Sequence, residues 1–69
     1  ADPSRALPDA ADARARLLQA AIRLFAHQGF AKTSTRELAE AAQVNVAAIS
    51  YYFGDKAGLY RAAFLEPMD

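Results

Sequence analysis

The chain contains no cysteine, which excludes disulfides and thiolate metal sites and fits a reducing cytoplasm. Proline and glycine are scarce, three of each, and alanine is abundant, so long loops give way to helix. No apolar run approaches the roughly 18 residues of a membrane span, and no signal-peptide pattern is visible. Eight basic residues balance eight acidic ones. A strongly basic balance would point to nucleic acid, and its absence argues against a purely electrostatic binder. It leaves open phosphate contacts made by a few well-placed cations. With 69 residues there is room for one domain and one small core, burying only about 60% of the unfolded chain's surface.

Residues 1–8 have no periodicity and two prolines, and read as a disordered arm. The folded domain is expected over residues 9–66. Asp9 reads as an N-cap, with Asp12 three residues on forming a box-like pair at the positive end of the helix dipole. The first helix should run over residues 10–28. Leu17, Ala21, Leu24 and Gln28 share one stripe, and Leu18, Ile22 and Phe25 lie on the next. Gly29 is placed to end it in a left-handed conformation, with Phe30 as the apolar partner of that ending.

Ser34 to Glu37 reads as a capping box that opens a short helix reaching about Ala42, with Leu38, Ala39 and Ala42 inward. Gln43 and Val44 form a turn. Asn45 reads as the next N-cap, opening a helix that carries residues 46–52. Phe53 and Gly54 break it. Asp55 caps a last helix with Leu59, Tyr60, Ala63 and Phe64 on its apolar side, stopped by Pro67. Gly58 interrupts that helix at a cost near 1 kcal/mol, permitting either close helix packing or backbone approach to DNA. The fold class is all-α: four helices around a core of Leu17, Ala21, Leu24, Phe25, Leu38, Ala39, Ile49, Phe53, Leu59 and Ala63.

Two short helices joined by a tight turn, over about residues 34–53, form a helix-turn-helix pattern. Such a pair needs a small residue where the helices cross, which Ala39 supplies. It also needs one inward anchor on the second helix, which Ile49 supplies. The outer face of that helix then enters a major groove. Val46, Ala47, Ala48, Ser50, Tyr51 and Tyr52 are uncharged throughout, where a plain surface helix would display Lys and Glu. Small apolar side chains can touch the thymine methyl, and serine can bond to several base edges. Tyrosine hydroxyls meet phosphate oxygens. On periodicity alone, a buried helix of an ordinary bundle fits equally well.

The stretch LLQAAIRLFAHQGF at residues 17–30 resembles the first helix of the tetracycline-repressor (TetR) family. TSTRELAEAAQVNVAAISYYFGDKAGL at residues 33–59 is similar to that family's helix-turn-helix and the start of its fourth helix. Thr35-Arg36, Leu38-Ala39, Val44, Tyr52-Phe53, Lys56 and Leu59 carry the match. The resemblance implies a homeodomain-like four-helix head that binds an operator in double-stranded DNA. It implies a homodimeric, ligand-responsive regulator, with dimerisation and a small-molecule effector assigned to a C-terminal domain that this chain does not contain. It places Thr35 and Arg36 on phosphate, with Arg36 also within reach of a base. Val46, Ala47, Ala48 and Ser50 fall at base-facing positions, Tyr51 and Tyr52 at positions that touch or pack beside the backbone, and Lys56 at a phosphate-contacting lysine. The bland alternative for Arg36 and Lys56 is a solvated charge.

Two positions depart from the family pattern. Gln43 stands where glycine is usual, and a left-handed conformation there costs a non-glycine residue on the order of 1 kcal/mol. Ser50 stands where tyrosine is common.

The competing reading is a small helical protein-interaction module that uses the same uncharged face. An enzyme is remote: the sequence offers no nucleophile–base pair, no metal set and no phosphate-cradling glycine loop. No cofactor is expected. His27 has no Cys, Asp or Glu at ligand spacing on its helix and reads as a surface residue. Arg5 reads as a solvated tail residue, with insertion into a minor groove the less favoured alternative.

Overall fold

The computed structural model describes residues 10–65, and among them every regular element is helical. The cap at Asp9, the arm at residues 1–8 and the stop at Pro67 lie outside the described residues. The first helix, α1, spans Ala10–Gln28. Its inner stripe is Leu17, Ala20, Ala21 and Phe25, all buried, which is the three-and-four spacing of one helix face. Ala20 extends the buried stripe by a residue the sequence pattern did not single out. Gly29 ends the helix at φ 89°, its N–H bonded to the Phe25 carbonyl at 2.9 Å, and the Phe30 ring stacks on Phe25 at 5.5 Å. A left-handed glycine with an apolar contact is a common helix ending, because glycine has no Cβ to clash there.

Helix α2 spans Thr35–Ala42 and opens on a complete capping box. The Glu37 N–H donates to Ser34 Oγ at 3.0 Å, and the Ser34 N–H donates to Glu37 Oε1 at 3.1 Å. Two N–H groups that the helix cannot satisfy are thereby paired. The helix buries Leu38, Ala39 and Ala42. It ends in a Schellman arrangement: Val44 N–H donates to the Ala39 carbonyl at 3.0 Å, and Gln43 N–H to that of Glu40 at 3.1 Å. Gln43 is left-handed at φ 61°, a conformation that glycine adopts freely and glutamine does not.

Helix α3 spans Ala47–Phe53, so its cap falls at Val46, one residue beyond the sequence expectation. Asn45 does act: its Oδ1 accepts from Ala47 N–H at 2.8 Å. Val46, however, already has helical dihedrals, and Ala48 N–H bonds back only three residues, to the Asn45 carbonyl at 2.9 Å. The first turn is thus tightened in 3₁₀ fashion, as helix ends often are. Ile49 is buried. Gly54, at φ 90°, ends α3, and Asp55 caps α4, Lys56–Tyr60, by accepting from Gly58 N–H at 2.8 Å.

The expected α-helical continuation of α4 is corrected over Arg61–Leu65, which form a π-helical turn. That wider turn carries Phe64 against Tyr60 at 5.1 Å and Phe25 at 6.4 Å, closing an aromatic cluster with Phe30. Leu17, Ala21, Phe25, Leu38, Ala39, Ile49 and Leu59 are buried as expected, while Leu24, Phe53 and Ala63 are half-buried and pack against them. Ile22 and Phe64, expected on apolar faces, remain about 40% exposed at 40% and 42%. Among the described residues no helix is long and apolar enough to cross a membrane.

Candidate nucleic-acid interface

The exposed face of α3 follows from its one anchor. With Ile49 fully inward, Ala47 and Tyr51 lie on the opposite side with Ser50 beside them, related by spacings of three and four, and Val46 stands at the N-cap. All four are exposed, Tyr51 most of all at 80%. Ala48 and Tyr52 differ from the expected outer set. They are half-buried and pack against the core, because positions 48 and 52 are one turn apart on the flank beside Ile49. Tyr52 instead supports Tyr51 through an edge-to-face contact at 4.7 Å. The outward face is therefore narrower than the sequence reading made it, and it carries no charge.

Charge is carried by the neighbouring helices. Arg36 is exposed in the first turn of α2, and Thr35 beside it is half-buried. Arg14 lies over the Phe53 ring at the C-terminal end of α3, 5.2 Å from its centre. Lys56, which the resemblance puts at a phosphate-contacting position, has partners within the protein. Its ammonium donates to the Phe30 carbonyl at 2.8 Å and the Thr33 carbonyl at 3.1 Å, and sits 4.2 Å from the centre of the Phe30 ring.

Two groups of positioning contacts escaped the sequence reading. Thr33 is fully buried. Its hydroxyl donates to the Gly29 carbonyl at 2.7 Å and accepts from Gln28 Nε2 at 3.2 Å. The same Gln28 amide reaches Glu37 Oε1 at 3.3 Å, so the α1–α2 turn and the α2 capping box form one network. Ser34's backbone N–H, followed by Gln28, holds the Glu37 carboxyl below the usual glutamate range. At the other end of α2, Arg16 Nε donates to the Ala42 carbonyl at 2.8 Å while its guanidinium pairs with Asp12. A cation there satisfies a helix-end carbonyl and suits the negative end of the dipole. Nothing in a bare spacing marks the Arg16 contact, because its partner is 26 residues away, and the Thr33 network depends on how the turn between α1 and α2 folds back on itself.

His27 is exposed, and among the described residues no group of three or more His, Cys, Asp or Glu could hold a metal ion. The groove between α1 and the end of α2, of about 290 Å³ and lined by Arg16, Gln19, Arg23 and Ala42 among others, lies at the Arg16 clamp.

The family model described as "Bacterial regulatory proteins, tetR family" matches residues 17–63. The chain is 52% identical over 44 residues to the probable HTH-type transcriptional regulator YttP of Bacillus subtilis (strain 168), covering 64% of this chain and 21% of that protein. It is 42% identical over 52 residues to the HTH-type transcriptional regulator AcrR of Shigella flexneri, covering 75% and 24%. To the HTH-type transcriptional dual regulator CecR of the same organism it is 48% identical over 50 residues, covering 72% and 22%. The chain thus spans only about a fifth to a quarter of the curated relatives it matches.

Proposed function

Since the chain belongs to the tetR family of bacterial regulatory proteins, we propose that it is a DNA-binding head that reads duplex DNA through the outer face of α3. The observation that carries this reading is the uncharged, exposed set Val46, Ala47, Ser50 and Tyr51 held over the buried Ile49. Small side chains let the helix backbone approach base edges closely. Val46 and Ala47 suit thymine methyls, and the Ser50 hydroxyl suits either donor or acceptor edges. Tyr51 reaches outward to a phosphate oxygen. Arg36, exposed at the start of α2, supplies a charged phosphate contact, with Thr35 beside it. Ala48 and Tyr52, both half-buried, back this surface and shape its edge.

In this reading the head works as one of a pair. Two copies, joined through a portion of the protein beyond this chain, occupy successive major grooves of a near-palindromic operator. A small-molecule effector bound by that portion changes the spacing or orientation of the heads, and so controls transcription in the cytoplasm.

The test is the salt dependence of binding to a mixed-sequence duplex, followed by fluorescence anisotropy. Counterion release makes log Kd rise linearly with log salt, with a slope of about 0.9 per neutralised phosphate. Arg36→Ala should lower that slope by about one such contact. Binding that ignores salt, or no binding to duplex at low salt, would instead favour a protein-interaction module.

A further inference from the structure

The half-buried Lys56 ammonium has two backbone partners within the protein. An ammonium has three N–H donors, and two of them go to the carbonyls of Phe30 and Thr33. The charge also lies over the Phe30 ring, a placement that favours a cation electrostatically. Both carbonyls belong to the turn between α1 and α2, which the Thr33 N–H closes onto the Phe30 carbonyl at 3.3 Å. That turn is itself anchored by the buried Thr33 hydroxyl. Lys56 is the first residue of α4, two positions past the Gly54 that ends α3. Its side chain therefore ties the exit of α3 to the entry of α2.

This tie matters because α3 is short. It has seven residues and a single fully buried side chain, Ile49. Ala48, Tyr52 and Phe53 pack half-buried beside that anchor, so the tilt of α3 depends on how its two ends are tied, and a small rotation moves Ala47 and Ser50 relative to the bases they face. The entry of α3 is fixed by Asn45 and by Arg16 on the α2 C-terminus. Its exit is fixed by Asp55 on Gly58 N–H and by Lys56 on the α1–α2 turn.

We propose that Lys56 is a positioning residue: it sets the angle at which α3 presents Val46, Ala47 and Ser50, acting through the Phe30–Thr33 turn instead of through a phosphate. The proposal rests on the DNA-binding reading and deepens it. It makes a prediction opposite to that of a phosphate contact. A lost phosphate contact weakens all duplexes alike and lowers the salt slope. A lost positioning contact erodes the preference for the best sequence and leaves the slope in place.

The experiment compares wild type with Lys56→Met, Lys56→Arg and Phe30→Leu, at a temperature where circular dichroism shows each to be folded. Salt slopes are measured on the chain itself with a mixed-sequence duplex. Preference is measured on the chain fused at its C-terminus to a coiled-coil dimeriser, with a duplex selected from a randomised pool. Lys56→Met should bind the selected duplex about tenfold more weakly. Its affinity for the mixed duplex should stay within about twofold, with an unchanged slope. Lys56→Arg should recover part of the preference, because a guanidinium can donate to both carbonyls. Phe30→Leu keeps the ammonium and removes only the ring, so it should show a smaller loss of the same kind and serves if Lys56→Met does not fold. A slope lower by about 0.9 with equal weakening on both duplexes overturns the proposal in favour of a phosphate contact. Unchanged preference in the folded variants overturns it in favour of simple stabilisation. If wild type itself binds no duplex, the DNA-binding reading falls as well, which separates the two failures.

Discussion

A Cβ on Gly58 would lie 1.9 Å from the carbonyl oxygen of Phe53. The start of α4 is thus pressed against the last turn of α3, and only a residue without a side chain fits. Of the two roles the sequence left open for this glycine, close helix packing is the one the structure fills. Gly58→Ala would gain about 1 kcal/mol of helix propensity. The overlap is with backbone, however, and backbone must move to relieve it, at about 1–3 kcal/mol or more. A net loss is expected, seen as a melting temperature lower by several degrees, given about 4–8 °C per kcal/mol for a domain of this size. A variant that melts at or above wild type would show that the α3–α4 contact is looser than the distance indicates.

Gln43 sits at φ 61° with its backbone in the Schellman ending of α2. Left-handed backbone costs a residue with a Cβ about 1–2 kcal/mol, while glycine loses more chain entropy on folding, by about 0.4–1 kcal/mol. The difference favours Gln43→Gly by up to about 1.5 kcal/mol. Thermal melts should show a modest rise for this variant and a fall for Gln43→Val, whose branched side chain tolerates that conformation least.

Glu37 accepts from the Ser34 N–H and the Gln28 amide, which lowers its pKa below the ordinary 4.5. A folded-state pKa below the unfolded value adds stability that is present above the unfolded pKa. That stability is lost as pH falls through the folded one. Wild type should therefore lose melting temperature on acidification below about pH 4.5 more steeply than Glu37→Gln, which cannot titrate. Parallel curves for the two proteins throughout that acidic range would mean that the capping-box carboxylate is not linked to folding.

These three positions show what the sequence discloses and what it conceals. Capping is local chemistry, so Ser34, Glu37 and Asp55 were legible from residue type and spacing alone, and so was the left-handed ending at Gly29. The buried stripe of α1 and the anchor Ile49 followed from periodicity. The outer face of α3 was legible only as a list of uncharged residues. Which of them face outward depends on how α3 crosses α1 and α2, and this turns Ala48 and Tyr52 inward. Arg16 and Lys56 act on partners far along the chain, as with the 26 residues between Lys56 and Phe30, and no local pattern encodes such a pairing. The π-helical turn at Arg61–Leu65 likewise accompanies aromatic packing against α1, a tertiary circumstance.

The central claim is that sequence choice resides on the exposed residues of α3, and competition between duplexes tests it most directly. A single head reads only a half-site, and each discriminated base pair is worth about 1–3 kcal/mol. Joining two heads makes the second binding event effectively intramolecular. The chain is therefore measured alone and fused to a dimeriser of suitable span, with a selected inverted-repeat duplex competing against its scrambled counterpart. The account predicts little preference for the single head and a clear preference for the dimerised one. It also predicts that replacing Ala47 with leucine or Ser50 with alanine changes the preferred bases, while binding to scrambled duplex stays within about threefold. A dimerised head without preference, or a preference indifferent to Val46, Ala47, Ser50 and Tyr51 alike, would contradict it.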